Sequence, residues 1–229
     1  MGIKDSSEQK ILEAVQQAKA SDVVIIVVGI EEGEFRDRAS LALPGLQEEM
    51  IQRIAATGKP IVVVLVGGSA ITMSNWLDKV NSVVDIWYPG DAGGEAVADI
   101  LFGDRSPSGK LPVTFPVFEG QLPLVYNHKP TGRGDDYTNL TGQPLFPFGF
   151  GLSYSSFDYT ALKLDNTIIK PDENLTLQFK IKNTGKYNAD EVVQLYLRDE
   201  LASVARPIKE LKGFVRVSLA AGEEKEIQF

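Results

Sequence analysis

The chain has 229 residues, 43% of them hydrophobic and 24% charged, enough to bury one large core or two small ones. Its net charge of −8 opposes binding to nucleic-acid phosphates and to anionic membrane surfaces, and no apolar run reaches the ~18 residues that membrane insertion requires. With no cysteine and one histidine, His128, the chain cannot build disulfides, thiolate metal sites, a cysteine nucleophile or a His-rich metal centre by itself; no metal or organic cofactor is expected. The opening MGIKDSSEQK is polar and lacks the apolar core of a signal peptide.

Apolar residues at Ile11, Leu12, Val15 and Ala18 predict a helix over 7–20, with Ser6 or Ser7 as its cap. The β-branched run from Asp22 to Val28 predicts a strand buried on both faces. After the stretch 29–44, Pro44 reads as a first-turn proline of a helix carrying Leu46, Met50, Ile51 and Ile54 and closed by Gly58. Ile61–Val66 is a second buried strand, Ile71–Val80 a short helix containing Trp76, and Val83–Trp87 a third strand. Glu95–Phe102 is a helix closed by Gly103, and Lys110–Phe115 a fourth strand whose Pro112 places it at an edge. This alternation predicts an α/β fold with a mostly parallel sheet sandwiched by helices, over residues 1–118.

Residues 119–156 are irregular and rich in Gly, Pro and aromatics, including Tyr126, Tyr137, Phe146, Phe148, Phe150 and Tyr154. That content favours an ordered connecting segment over a flexible linker. From Phe157 onward period-2 alternation predicts strands at Tyr159–Leu164, Leu175–Asn183, Val192–Arg198, Leu211–Val217 and Lys225–Phe229, with turns at Asn183-Thr184-Gly185 and Ala221-Gly222. An immunoglobulin-like sandwich has about seven strands, so 157–229 is expected to form a truncated one with an unpaired edge.

The stretch GIEEGEFRDRASLALP, 29–44, leaves the carboxyl end of the first predicted strand, where α/β sheets meet their ligands. It carries Glu31, Glu32 and Glu34, then Arg36, Asp37 and Arg38. A carboxylic acid on such a loop suits general acid catalysis; the same residues also read as a solvated acidic loop paired with its own arginines. Other chemistries fit less well. Ser69 follows a strand, but Ile71 stands where the second glycine of a nucleophile elbow belongs. Gly67-Gly68 and Gly93-Gly94 lack any phosphate-loop pattern and read as tight turns. Arg133-Gly134-Asp135 is a tripeptide that chance supplies easily, and Asn139-Leu140-Thr141 and Asn174-Leu175-Thr176 are glycosylation sequons. Glycoside hydrolysis needs two carboxylates on opposite sides of the sugar, so a partner to this loop has to come from elsewhere.

Four segments resemble the C-terminal half of family 3 glycoside hydrolases, the β-glucosidases and β-xylosidases: GEFRDRASLALPGLQEEMI, KPIVVVLVGGSAI, DIWYPGDAGGEAVADILFGDRSPSGKLPVTFP and PLFPFGFGLSYSSF. The resemblance runs from about Asp22 to the C-terminus and implies that the last domain is fibronectin type III-like. It implies a (β/α)8 barrel domain as partner, carrying an aspartate nucleophile absent from this chain. It implies a β-linked oligosaccharide or glycoside as substrate, and a periplasmic or secreted location. The family's acid/base glutamate precedes the Asp-Arg pair by three positions, which falls on Glu34, with Glu31 and Glu32 in reserve; Arg36, Arg38, Trp87 and Tyr88 are the candidate sugar contacts. The competing class is a non-catalytic carbohydrate-binding or structural module.

Overall fold

The computed structural model describes residues 7–131, 134–170 and 172–229. The chain forms two compact units, one of Met1–Val97, Thr114–Leu124 and Asp136–Phe146, the other of Ala98–Val113, Val125–Asp135 and Pro147–Phe229.

The first unit is built on a parallel three-stranded sheet in the order β1-β2-β3, with β1 at Val24–Gly29, β2 at Ile61–Val66 and β3 at Ser82–Asp85. Helix α1, Glu8–Lys19, precedes the sheet; its Ser7 cap accepts from the Lys10 N–H. Helix α2, Gln47–Ala55, joins β1 to β2 and ends near Gly58, whose φ of +73° suits glycine. Both helices turn their apolar stripes inward: Ile11 and Ala18 of α1 and Met50, Ile51 and Ile54 of α2 are buried, as are Ile26, Val28, Ile61, Val63, Val64 and Leu65 of the sheet. Helix α3, Gly93–Phe102, begins in this unit, continues through residues that belong to the second from Ala98 onward, and ends at Gly103, φ +83°.

Four expectations need correction. Strand β1 is buried on one face only: Ile26 and Val28 are covered, whereas Val23, Ile25 and Val27 are half exposed or more. A sheet-edge strand covered on a single side alternates, and its β-branched run cannot signal which side is covered. Lys110–Phe115 forms no strand; Phe115 makes an isolated antiparallel bridge with Phe146. Pro112 and Pro116 lack the N–H that a ladder needs. Ile71–Val80 yields only a 3-10 turn at Leu77–Lys79; Ile71, Met73 and Trp76 are buried there without a helix. Pro44 lies ahead of α2 instead of in its first turn, because Gly45 at φ +66° and Leu46 intervene.

In the second unit, β4 (Phe157–Leu164), β5 (Leu177–Asn183) and β8 (Glu224–Gln228) form one antiparallel sheet, and β6 (Ala189–Leu197) and β7 (Glu210–Leu219) form another. All five predicted strands are present. Phe179, Ile181, Val193, Val217 and Leu219 make the core. The ring of Phe179 stacks with Tyr159 and with Phe229, centroids 5.9 and 6.3 Å apart. Aromatics of the irregular segment join this unit: Tyr126 stacks on Phe148 at 4.1 Å and meets Tyr196 edge-on, and its hydroxyl accepts from the Leu211 N–H. His128 lies beside Asp135, Nε2 to Oδ2 3.3 Å. Arg133 of the Arg-Gly-Asp tripeptide lies outside the described residues.

A largely buried ion pair lies in this unit beside the half-exposed Tyr159. Lys110 Nζ is 3.2 Å from Glu191 Oε2 and donates to the Gly151 carbonyl, while the Tyr159 hydroxyl donates to Glu191 Oε1 at 3.0 Å. The side chains of Lys110 and Glu191 are 15% and 12% exposed. Burial pushes the Tyr159 phenol well above its ordinary value, and the adjacent Glu191 charge adds to this. Removing one partner strands the other as an unpaired buried charge, so Glu191→Ala is expected to lower the unfolding free energy in urea by about 3 kcal/mol. The folded state keeps the Tyr159 proton where the unfolded chain loses it. Stability should therefore be full below the ordinary tyrosine value of 10 and fall as pH rises past it; Tyr159→Phe should shrink that alkaline loss in pH-dependent melting curves.

Candidate active site

The loop that follows β1 begins at a tightly fixed point. The buried Gln47 side chain takes both backbone groups of Gly29: its Oε1 accepts the Gly29 N–H at 2.7 Å, and its Nε2 donates to the Gly29 carbonyl at 2.9 Å and to the Pro44 carbonyl at 3.0 Å. Gly29 has no room for a side chain, since a Cβ there would stand 2.0 Å from the Val66 carbonyl oxygen of the neighbouring strand. The two ends of the 29–44 stretch are thus tied to one helix residue.

Beyond Gly29 the acidic residues separate by partner. Glu32 turns inward. It accepts from the Gly68 N–H at 2.9 Å and from the Ser69 hydroxyl, and Arg38 Nε lies 3.4 Å from its Oε1, an ion pair without hydrogen-bond alignment. Its own N–H donates to the Tyr88 hydroxyl at 3.3 Å. Arg38 is 16% exposed and also donates to Ser69 Oγ at 2.8 Å and to the carbonyls of Ala42 and Ala70. Gly68 is required for this approach: a Cβ there would meet the Tyr88 ring at 2.7 Å and Glu32 Oε2 at 2.9 Å. Glu31 pairs with Arg36. Between these pairs the Arg36 N–H donates to the Gly33 carbonyl at 3.0 Å, making Glu34 and Phe35 the central residues of a tight turn. Glu34 is exposed at that tip and makes no ion pair or hydrogen bond among the described residues.

Glu119 holds the far side of the loop. Its Oε1 accepts from the Leu41 N–H at 2.6 Å and the Ser40 hydroxyl at 2.8 Å. Burial works to raise its carboxyl, yet hydrogen bonds from its own backbone, Ser40, Leu41 and Ala42 together hold it below the ordinary glutamate range. At the end of β3, burial pushes Asp85 above the ordinary aspartate range, opposed by the hydrogen bond it accepts from the Trp87 N–H at 3.1 Å.

The structure therefore gathers Glu31, Glu32, Arg36, Arg38 and Tyr88 around the neck of one loop with Glu34 at its tip. Arg38 and the Tyr88 hydroxyl are occupied within the protein. Trp87 packs edge-on against Phe115 at 6.1 Å. Sequence reasoning missed Gln47, Glu119 and Ser69 as the supports of this loop. Only Ser69 carried a local signal, through its place after a strand, and that signal pointed to a nucleophile.

Comparison with known proteins defines the lineage. Residues 1–154 match the glycosyl hydrolase family 3 C-terminal domain, and residues 191–229 the fibronectin type III-like domain. The chain belongs to glycosyl hydrolase family 3. It is 44% identical to a β-xylosidase of Formosa agariphila, which covers 99% of this chain, and 39% identical to a periplasmic β-glucosidase of Salmonella typhimurium, which covers 98%. It spans about a third of those relatives' length, 32% and 31%. A β-glucosidase of Listeria innocua solved in complex with glucose superposes over 100% of the chain and 34% of its own, with a TM-score of 0.95 and 33% identity. The parallel sheet with helices and the fibronectin-like sandwich are thus family 3 architecture.

Two supports of the loop can be removed separately. Gln47→Leu leaves the buried N–H and carbonyl of Gly29 without a partner, and urea denaturation should show a loss of about 2–4 kcal/mol. Glu32→Ala releases Gly68, Ser69 and Arg38; amide hydrogen exchange should accelerate through 31–38 and at Gly68 while the protection of β5 and β6 is unchanged.

Proposed function

We propose that this chain supplies the acid/base glutamate of a retaining β-glycosidase, that this residue is Glu34, and that the aspartate nucleophile stands on a (β/α)8 barrel domain outside the chain. The substrate is a β-linked oligosaccharide or glycoside, cleaved at its terminal nonreducing residue; the chain alone is inactive. The observation that carries this reading is the sorting of the three glutamates. Glu31 and Glu32 are held in ion pairs at the neck, whereas Glu34 is presented to solvent with no partner among the described residues. An acid that must give a proton to substrate and later take one from water needs a carboxyl whose oxygens are not already committed.

The chemistry follows from two carboxyl groups flanking one bond, about 5–5.5 Å apart in a retaining enzyme. Glu34 gives its proton to the glycosidic oxygen as the barrel aspartate attacks the anomeric carbon. The leaving group departs with that proton, and a covalent glycosyl-enzyme remains. Glu34, now a carboxylate, removes a proton from water, which attacks the same carbon and frees the sugar with its configuration retained. The ion pairs at the neck give Glu34 a fixed backbone while leaving its side chain able to reach in.

The test is Glu34→Gln in the barrel-containing protein. The leaving sugar of a disaccharide departs as an alkoxide unless its oxygen is protonated, whereas the phenolate of an activated aryl glycoside scarcely needs the proton. The rate on the disaccharide should fall by about 10²–10⁴, with a much smaller loss in cleavage of the aryl glycosidic bond. Equal, small losses on both would return the role to Glu31 or Glu32.

A further inference from the structure

Three aromatic side chains line one cleft of the second unit and remain exposed there: Phe102 by 83%, Tyr187 by 61% and Tyr154 by 46%. The cleft has a volume of about 710 Å³ and is also lined by Asp104, Lys186 and Asn188. A single exposed apolar residue is ordinary, but a cluster of them rimmed by polar groups marks a place where something binds. None of the three rings stacks on another aromatic ring among the described residues. Both tyrosines are fixed in position. The Tyr154 hydroxyl donates to the Ile100 carbonyl at 2.8 Å. Tyr187 lies on the turn after β5, which the fully buried Asn183 shapes: its Oδ1 accepts the Gly185 N–H at 3.0 Å, and its Nδ2 donates to the Tyr187 carbonyl at 2.8 Å. The Ser155 hydroxyl donates to the same carbonyl at 2.7 Å. A Cβ on Gly185 would stand 2.4 Å from Ser155 Oγ, so glycine permits this approach.

We propose that this cleft is a binding site for a neutral oligosaccharide, carried by the second unit and independent of the acid/base role of Glu34. A pyranose has an apolar C–H face and a rim of hydroxyls, so it is held by an aromatic ring against the face and hydrogen-bonding groups at the edge. The cleft offers both. The Asp104 carboxylate accepts and the Lys186 ammonium donates, and neither makes an ion pair or side-chain hydrogen bond among the described residues. Asn188 Oδ1 is committed to the Ala221 N–H at 3.1 Å, which orients the amide and leaves Nδ2 as a donor. One negative and one positive group cancel, so the cleft favours a ligand without net charge. Its volume lies within the ~300–1,000 Å³ of small-ligand sites. The core of a protein–protein interface is depleted in charged residues, whereas sugar hydroxyls donate and accept and so satisfy Asp104 and Lys186 alike.

The experiment is a titration of the 229-residue chain with cellotetraose and with xylotetraose, followed by amide NMR shifts and by calorimetry. Saturable shifts should gather at 101–106 and 186–188. Phe102→Ser and Tyr187→Ser each remove one exposed ring, so the melting temperature should hold while the dissociation constant rises about 3- to 10-fold. Glu34→Gln should leave the affinity unchanged. The shift map of the unsubstituted chain decides the location even if a variant folds poorly. No saturable shift with either tetraose, an affinity that both serine variants leave intact, or shifts confined to 31–38 would overturn the proposal. Self-association that both variants abolish, with no glycan binding, would overturn it too and make the cleft a contact between copies of the chain.

Discussion

The Gln47 side chain occupies both backbone groups of Gly29, and the geometry of the site follows from that pair of hydrogen bonds. A strand end is where backbone pairing stops, so its last N–H and carbonyl need another partner if they are buried. Here a helix residue provides it, and the same amide reaches Pro44, so one side chain fixes where the loop leaves β1 and where it returns towards α2. The absence of a Cβ at Gly29 permits the close approach of β2. Sheet, helix and loop are thereby locked in one arrangement whose free end is a turn bearing a carboxyl group.

The loop itself is organised by charge matching. Three glutamates, one aspartate and two arginines within eight residues would repel or collapse without fixed partners. Glu32 with Arg38 and Glu31 with Arg36 remove two charges of each sign from the neck. Their energetic value differs with burial. The Glu32 pair is about one-fifth exposed or less and is supported by Ser69 and Gly68, so it fixes geometry; the Glu31 pair is about half exposed and, as a surface pair, contributes little stability. What both do is leave Glu34 as the uncommitted glutamate at the tip. The family 3 relatives of this chain include proteins named β-glucosidase and β-xylosidase.

The second unit is held by different means. Its five strands close around Phe179, Ile181, Val193, Val217 and Leu219, and aromatic stacking extends that core to Tyr159 and Phe229. The Lys110–Glu191–Tyr159 cluster adds polar specificity. It is satisfied by three protein groups, the condition under which a buried charge is tolerated.

Much of this was legible from residue order alone. Period-2 alternation located the five sandwich strands and helical spacing located α1, α2 and α3, whereas the family resemblance pointed to a glutamate of this loop, Glu34, with Glu31 and Glu32 in reserve. These signals are local: each depends on which side chains recur along one element. Sequence could not distinguish a strand covered on one face from one covered on two, as β1 shows, because Val and Ile serve both. It could not tell that Lys110–Phe115 stays irregular, since a ladder requires a neighbour as well as a propensity. Nor could it separate Glu31 and Glu32 from Glu34, because partners such as Gly68 and Ser69 lie more than thirty positions away. The periodicity of the chain determined most of its elements and its motif segments carried the lineage; only the tertiary structure decided which charges met, because ion pairing depends on distance in space and not along the chain.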